Sequence, residues 1–218
     1  MSKLLTQMKT AIVLGASGLV GTELVHQLLN SVEFEEVKIF VRRTLEISHT
    51  KLEEYIIDFD NLSSWKQELI GNSLFSCMGT TIKTAGSKEK QYLVDFTYPY
   101  NCIEAAIDNG TKQIILVSSI GAKASSSNFY LRMKGELEEA IKKLKPSNFI
   151  VFRPSILDGN RVESRPAEYK AIKIMRILGK LPFLKKYAPT PVKDLAASMI
   201  KITLENMEGV KVVESLEI

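Results

Sequence analysis

Thr10-Ala11-Ile12-Val13-Leu14-Gly15-Ala16-Ser17-Gly18-Leu19-Val20-Gly21 decides the architecture of this chain. Four apolar residues, Ala11, Ile12, Val13 and Leu14, run straight into a glycine, as in a strand buried on both faces. From Leu19 the apolar positions change to helical spacing, at Leu19, Val20, Leu24, Val25, Leu28 and Leu29. A helix start offers unpaired N–H groups and the positive end of the helix dipole, so a strand, a glycine turn and a helix in this order suit a phosphate. Gly15 allows the tight turn, Gly18 lets backbone approach a pyrophosphate, and Gly21 lets the helix pack close to the strand. Ala16, Ser17, Leu19 and Val20 complete the same expected cofactor-binding turn. The spacing is G-x-x-G-x-x-G, a partial match to the G-x-G-x-x-G fingerprint of dinucleotide sites. No Lys-Ser/Thr pair completes a P-loop, and Gly15-Ala16-Ser17-Gly18-Leu19 is not a G-x-S-x-G nucleophile elbow.

The rest of the chain supports an ordinary globular protein. Its 218 residues, 45% apolar and 25% charged, suit a single dinucleotide-binding domain over 1–218, with a small cap over 156–191. No stretch has the apolar length of a membrane span, the first residues do not read as a signal peptide, and Cys77 and Cys102 share no metal spacing. Reduced core cysteines and a cytoplasmic location are therefore expected. A net charge of +4 suits a small anionic ligand but is too weak and scattered for nucleic acid. With two histidines far apart, His26 and His49, no metal site is expected.

Alternating elements follow. Residues 37–41 read as a second strand ending in Arg42 and Arg43. An acid at that strand end would accept the 2′-hydroxyl of NAD, whereas arginine binds a 2′-phosphate, so NADP(H) is favoured over NAD(H). Residues 55–58 form a third strand, putting Asp58 and Phe59 near an adenine, and 62–69 read as a helix around Trp65. The fourth strand, 73–78, ends in small residues, so Cys77, Met78, Gly79 and Thr80 can pass close to a ribose and the second phosphate. Residues 88–109 read as one long helical stretch that Pro99 bends or breaks near its middle. The strand 113–117 delivers Ser118 and Ser119 to the same edge. A helix opens at Tyr130 and runs to about Leu144, and a sixth strand, 148–152, ends in Arg153 and Pro154, which join the cofactor set. The pattern predicts an α/β, Rossmann-like, doubly wound and mainly parallel sheet with helices on both faces. Residues 167–178 are a basic amphipathic helix candidate whose lysines are assigned to solvent, so no membrane contact is expected. A capped helix over 194–205 and an edge strand over 210–213 close the chain. Glu53-Glu54 and Glu138-Glu139 read as solvated charges.

Tyr130 and Lys134 are four apart on one helix and share a face. A phenol, with its usual pKa of about 10, is a poor acid–base catalyst, and a neighbouring ammonium favours its ionised form. A hydroxyl from Ser118 or Ser119 would bind the substrate oxygen, and Ser119 lies nearer the strand end.

The ordered set Gly15-Ala16-Ser17-Gly18-Leu19-Val20-Gly21, Val117-Ser118-Ser119, Tyr130-x-x-x-Lys134 and Phe152-Arg153-Pro154 resembles the short-chain dehydrogenase/reductase superfamily in its extended or atypical branch. Cys77-Met78-Gly79-Thr80-Thr81, Ser127-Asn128-Phe129, Lys134-Gly135-Glu136 and Glu163-Ser164-Arg165-Pro166 look more narrowly like the Tat-interacting oxidoreductase family and its bacterial relatives. The resemblance covers nearly all of 10–205. It implies a Rossmann fold with Gly15, Ser17, Gly18 and Gly21 at the cofactor phosphates and Arg42 or Arg43 at a 2′-phosphate. It also implies Ser119, Tyr130 and Lys134 as a catalytic triad, Lys134 additionally holding the nicotinamide ribose. Three readings follow: an NADP(H)-dependent reductase acting on a small carbonyl or alcohol, a redox sensor that binds NADP(H) and a protein partner with little turnover, and an enzyme like the nucleotide-sugar epimerases and dehydratases. The intact Tyr130/Lys134 pair favours the first, and the short part after Ile156 disfavours the third.

Overall fold

A computed structural model of the chain describes residues 9–159, 182–205 and 208–218. Strand β1 (Lys9–Leu14) is the third strand, inside a seven-stranded sheet of order β3-β2-β1-β4-β5-β6-β9. Its partners are β2 (Phe34–Val41) and β4 (Ser73–Ser76), with β3 (Leu52–Ile56) at one edge. β5 (Gln113–Val117), β6 (Asn148–Arg153) and β9 (Gly209–Glu214) continue the other half. Every pairing in this sheet is parallel. Parallel neighbours need crossovers, and the crossover helices fall on both faces, as the alternating pattern predicts.

Alternation along β1 divides the core. Ala11 and Val13 pack on helices α1 (Leu19–Asn30) and α6 (Val192–Leu204), together with Leu24, Leu28, Leu195 and Met199. Ile12 and Leu14 point to the opposite face, which Trp65, α4 (Tyr98–Asp108) and α5 (Phe129–Lys143) cover through Ile103, Leu137 and Ile141. Each such side chain contributes about 1.5–3 kcal/mol by leaving water. The strand order reverses between β1 and β4, both sections of the sheet growing outward from that pair, and a crevice opens there at the carboxyl ends of the strands.

Four local expectations change. In place of the helix expected over 62–69 there are short 3-10 turns, Phe59–Ser64, kinked at Asn61, and Lys66–Glu68. The Trp65 ring between them is held by Nε1 donating to the Asp58 carbonyl at 2.8 Å, so burial of one indole organises the segment. The long helical stretch expected over 88–109 runs unbroken from Lys88 to Asp108, and the irregularity its proline imposes falls ahead of Pro99 as a widened turn. Short helices α2 (Ile82–Ala85) and α3 (Lys88–Tyr92) lead into a π-helical turn over Leu93–Thr97, and Pro99 then sits in the first turn of α4. A proline ring clashes with the carbonyl four residues back, here Asp95, and the widened turn relieves that clash. The last helix begins at Val192, with Pro191 at the cap position and Asp194 inside the first turn, where a carboxylate suits the dipole without capping. Strand bounds shift as well: β2 starts earlier, at Phe34, the third strand expected over 55–58 runs from Leu52 to Ile56, and β4 stops at Ser76, short of the expected 78.

The expected cap is bounded by a small parallel pair, β7 (Leu157–Asp158) with β8 (Thr190–Pro191). The basic helix expected over 167–178 and the motif Glu163-Ser164-Arg165-Pro166 lie outside the described residues. Among the described residues no helix is long and apolar enough to cross a membrane.

Candidate functional site at the carboxyl edge of the sheet

The turn after β1 is built so that only glycine fits at two points. Gly15 has φ +79°, and a Cβ there would lie 2.8 Å from the Cys77 carbonyl just past β4. At Gly21 a Cβ would lie 2.1 Å from the Gly15 oxygen, so α1 rests directly on the turn. The Gly18 N–H donates to the Gly15 carbonyl at 2.9 Å, and Thr22 Oγ1 donates to the Ala16 carbonyl at 3.0 Å. Gly18 is the cap residue of α1 and supplies no side-chain acceptor, and no acid lies in the first turn. The first N–H groups of a twelve-residue helix thus reach the crevice uncapped, beside exposed Ser17 and buried Ala16 and Val20. Unpaired donors, a favourable dipole and a cradle closed to any Cβ fit the pyrophosphate of a dinucleotide.

The other expected cofactor residues surround this turn unevenly. Arg42 and Arg43 are exposed just past β2. Asp58 is exposed and caps the first 3-10 turn, accepting from the Asp60 N–H at 3.0 Å, while Phe59 stacks on Tyr98 with ring centroids 5.2 Å apart. Burial and the Asp60 carboxylate push the Tyr98 phenol up to about 12, and Arg42 opposes them, so Arg42 shares this corner.

Cys77, Met78, Gly79 and Thr80 follow β4 and are pinned from outside. The Cys77 N–H donates to the Leu14 carbonyl at 2.9 Å, which ties this segment to the end of β1. Burial pushes the Cys77 thiol up to about 12 against the pull of Lys134, so this cysteine is no thiolate nucleophile. The Lys134 ammonium donates to the Met78 carbonyl at 3.2 Å and lies 3.7 Å from Asp95 Oδ2. The other Asp95 oxygen accepts from the Thr80 N–H at 2.7 Å, and Gln91 Nε2 donates to the Thr80 carbonyl at 3.0 Å.

Asp95 went unremarked in the sequence. It is fully buried, on the π-helical turn, and burial holds its carboxyl above the usual carboxylate range against Lys134 and the Thr80 N–H. Its partner lies 39 residues away, so the available hint was only an acid between Val94 and Phe96 in an apolar stretch. Lys134 itself is 3% exposed, with Nζ 6.0 Å from the centroid of the Tyr130 ring. Tyr130 is 36% exposed, one helical turn before Lys134 on the same row of α5, and Asn128 caps that helix by accepting from the Leu131 N–H at 3.1 Å.

The two serines separate. Ser118 is buried, and its hydroxyl donates to Glu138 of α5, away from the phosphate turn. Ser119 is half-buried, and among the described residues its hydroxyl makes only a long 3.4 Å contact to the Ile120 carbonyl. Arg153 also turns to Glu138, and Pro154 is buried with its carbonyl accepting from the Ile120 N–H at 2.9 Å. Glu138 is 8% exposed, a correction to its reading as a solvated charge. Its position eight residues after Tyr130, on the row of Tyr130 and Lys134, was the available signal.

A family of NAD(P)H-binding proteins matches residues 15–174 of this sequence, a span that begins at the first glycine of the turn. The chain belongs to this family. A curated relative, protein HTATIP2 of Rattus norvegicus, is 37% identical over 200 residues, covering 89% of this chain and 81% of its own. This agrees with the resemblance to the Tat-interacting oxidoreductases. Protein fmp52 of Aspergillus fumigatus, whose name carries the word mitochondrial, is 37% identical over 183 residues, 80% of this chain and 77% of its own. Among solved structures, the Bordetella bronchiseptica enzyme WbmH in complex with NAD+ superposes with a TM-score of 0.71 at 14% identity, over 95% of this chain and 76% of that one. That likeness carries the Rossmann fold.

Proposed function

We propose that this member of the NAD(P)H-binding family is an NADP(H)-dependent oxidoreductase, a single domain acting on a small carbonyl or alcohol in the cytoplasm. The observation that carries the reading is the buried Lys134 ammonium. It is held between Asp95 and the Met78 carbonyl at the crevice where the strand order reverses, one helical turn from an exposed tyrosine. Bound nicotinamide supplies or takes up hydride. This chain supplies the rest. The uncapped start of α1 holds the pyrophosphate, Lys134 holds the nicotinamide ribose, and Ser119 binds the substrate oxygen. Tyr130 gives a proton to that oxygen in reduction and takes it back in oxidation. Its exposure leaves the hydroxyl open to substrate entering from solvent.

The cofactor preference rests on Arg42 and Arg43, which stand where an NAD-selective strand end carries an acid. Replacing both with alanine is expected to weaken NADPH by about 1.5–3 kcal/mol for each charge-assisted hydrogen bond lost, and to leave NADH nearly unchanged. Fluorescence titration of both cofactors checks this. Equal losses for the two would remove the arginines from the 2′-phosphate and the preference with them.

A further inference from the structure

The guanidinium of Arg153 grips α5. Its Nε donates to Glu138 Oε1 at 3.1 Å, its Nη2 to Glu138 Oε2, and its Nη1 to Glu214 Oε1 at 3.0 Å. The Ser118 hydroxyl donates to the same Oε1 that Nε reaches. One nearly buried carboxylate therefore joins the end of β5, the end of β6 and, through Arg153, the edge strand β9. A forked guanidinium on a carboxylate fixes angle as well as distance. The carboxylate belongs to the helix that carries Tyr130 and Lys134, on the same i, i+4, i+8 row.

That row meets the sheet edge at two fixed points. Lys134 is tied to the segment after β4, and Glu138 is tied to the segments ending β5 and β6. Ser118 is the residue immediately before Ser119. Whatever fixes Ser118 against Glu138 also fixes the distance from Ser119 to the first turns of α5.

We propose that Ser118, Glu138 and Arg153 form a positioning clamp that sets the register of α5 against the end of β5 and so aims Tyr130 at the substrate oxygen held by Ser119. This rests on the oxidoreductase reading above. In the clamp Arg153 binds neither cofactor nor substrate, and the tandem serines divide the work: Ser118 anchors and Ser119 faces the chemistry. Glu214 ties the clamp to the sheet edge from its exposed side, where the ion pair is weakly held.

The test compares the full-length wild type with Arg153→Met, Arg153→Lys, Glu138→Gln, Ser118→Ala and the double variant Arg153→Met/Glu138→Met. The readouts are NADPH affinity, kcat and KM on a reducible aldehyde, and amide hydrogen exchange. A misaimed catalytic group costs on the order of 10²-fold, so kcat is expected to fall by about 10–100-fold in Arg153→Met and Glu138→Gln. NADPH affinity and KM should hold. The double variant should lose no more than the worse single one, because both break one device. Arg153→Lys keeps the charge without the fork and should fall between. Exchange should rise over 118–120 and the first turns of α5 while the body of α1, 22–29, stays protected.

Glu138→Gln is nearly isosteric and keeps the test open if Arg153→Met does not fold. A large loss of NADPH affinity in Arg153→Lys, with Glu138→Gln unaffected, would make Arg153 a cofactor ligand and overturn the clamp. Unchanged kcat and exchange in Glu138→Gln would overturn it as well. A wild type that binds NADPH and reduces no carbonyl would sink the oxidoreductase reading instead, and the exchange pattern would still decide whether the clamp exists.

Discussion

Lys134→Met is expected to lose turnover and NADPH affinity together, and to be less stable by an amount that grows with pH. The substitution leaves the fully buried Asp95 without its cation. Removing one partner of a buried pair costs about 3–5 kcal/mol when the other must remain charged. Asp95 has an alternative, because burial already raises its carboxyl above the usual range and only Lys134 and the Thr80 N–H oppose that. Without the ammonium it rises further. A raised carboxyl binds a proton in the folded state where the unfolded chain has released it, so stability is fullest below the unfolded value of about 3.9 and falls as pH climbs through the folded value. Urea denaturation should therefore find a smaller deficit at about pH 4.5 than at about pH 8. Adding Asp95→Asn to Lys134→Met should return most of the stability at the higher pH, since no buried charge is left, while turnover stays lost. An equal deficit at both pH values, or no recovery in the double variant, would mean that Asp95 and Lys134 are not energetically paired.

Tyr130→Phe is expected to separate chemistry from binding. The ring is retained and only the hydroxyl is removed from a side chain 36% exposed, so folding should change by less than about 0.5 kcal/mol. NADPH affinity should hold as well, because Lys134 and the phosphate turn remain in place. General acid–base catalysis contributes about 10²–10⁴-fold, and kcat for the best carbonyl substrate should fall by that much or more. Ser119→Ala should resemble it. Steady-state kinetics beside a cofactor titration checks the pair, and turnover that survives in Tyr130→Phe would assign the proton to another group.

What was legible in the sequence was the part governed by local rules. An apolar run into Gly15 followed by helical spacing from Leu19 can hardly be read otherwise, and the buried strands β4, β5 and β6 carry the same signal. Tyr130 and Lys134 were legible because one helix supplies both. The missed features depend on partners distant in the chain. Glu138 looks like surface charge until Arg153 and Ser118 arrive from two strand ends, and Asp95 has no local reason to be buried until Lys134 reaches it. That Pro99 would perturb the long helical stretch was legible, but the form was not, since a π-helical turn is a way of relieving a clash and leaves no composition signature of its own. The helix expected over 62–69 gives way for a related reason, one buried indole outweighing a helical pattern.

Label transfer reads hydride transfer directly. Wild-type protein and Tyr130→Phe are each mixed with NADPH carrying deuterium at C4 and a panel of aldehydes and ketones, and the products are analysed by mass spectrometry. Deuterium is expected on the carbonyl carbon of at least one product with the wild type, from one face of the nicotinamide only, and almost none with Tyr130→Phe despite equal cofactor binding. Tight NADPH binding by the wild type with no label in any product would contradict the oxidoreductase reading and leave a cofactor-binding sensor in its place.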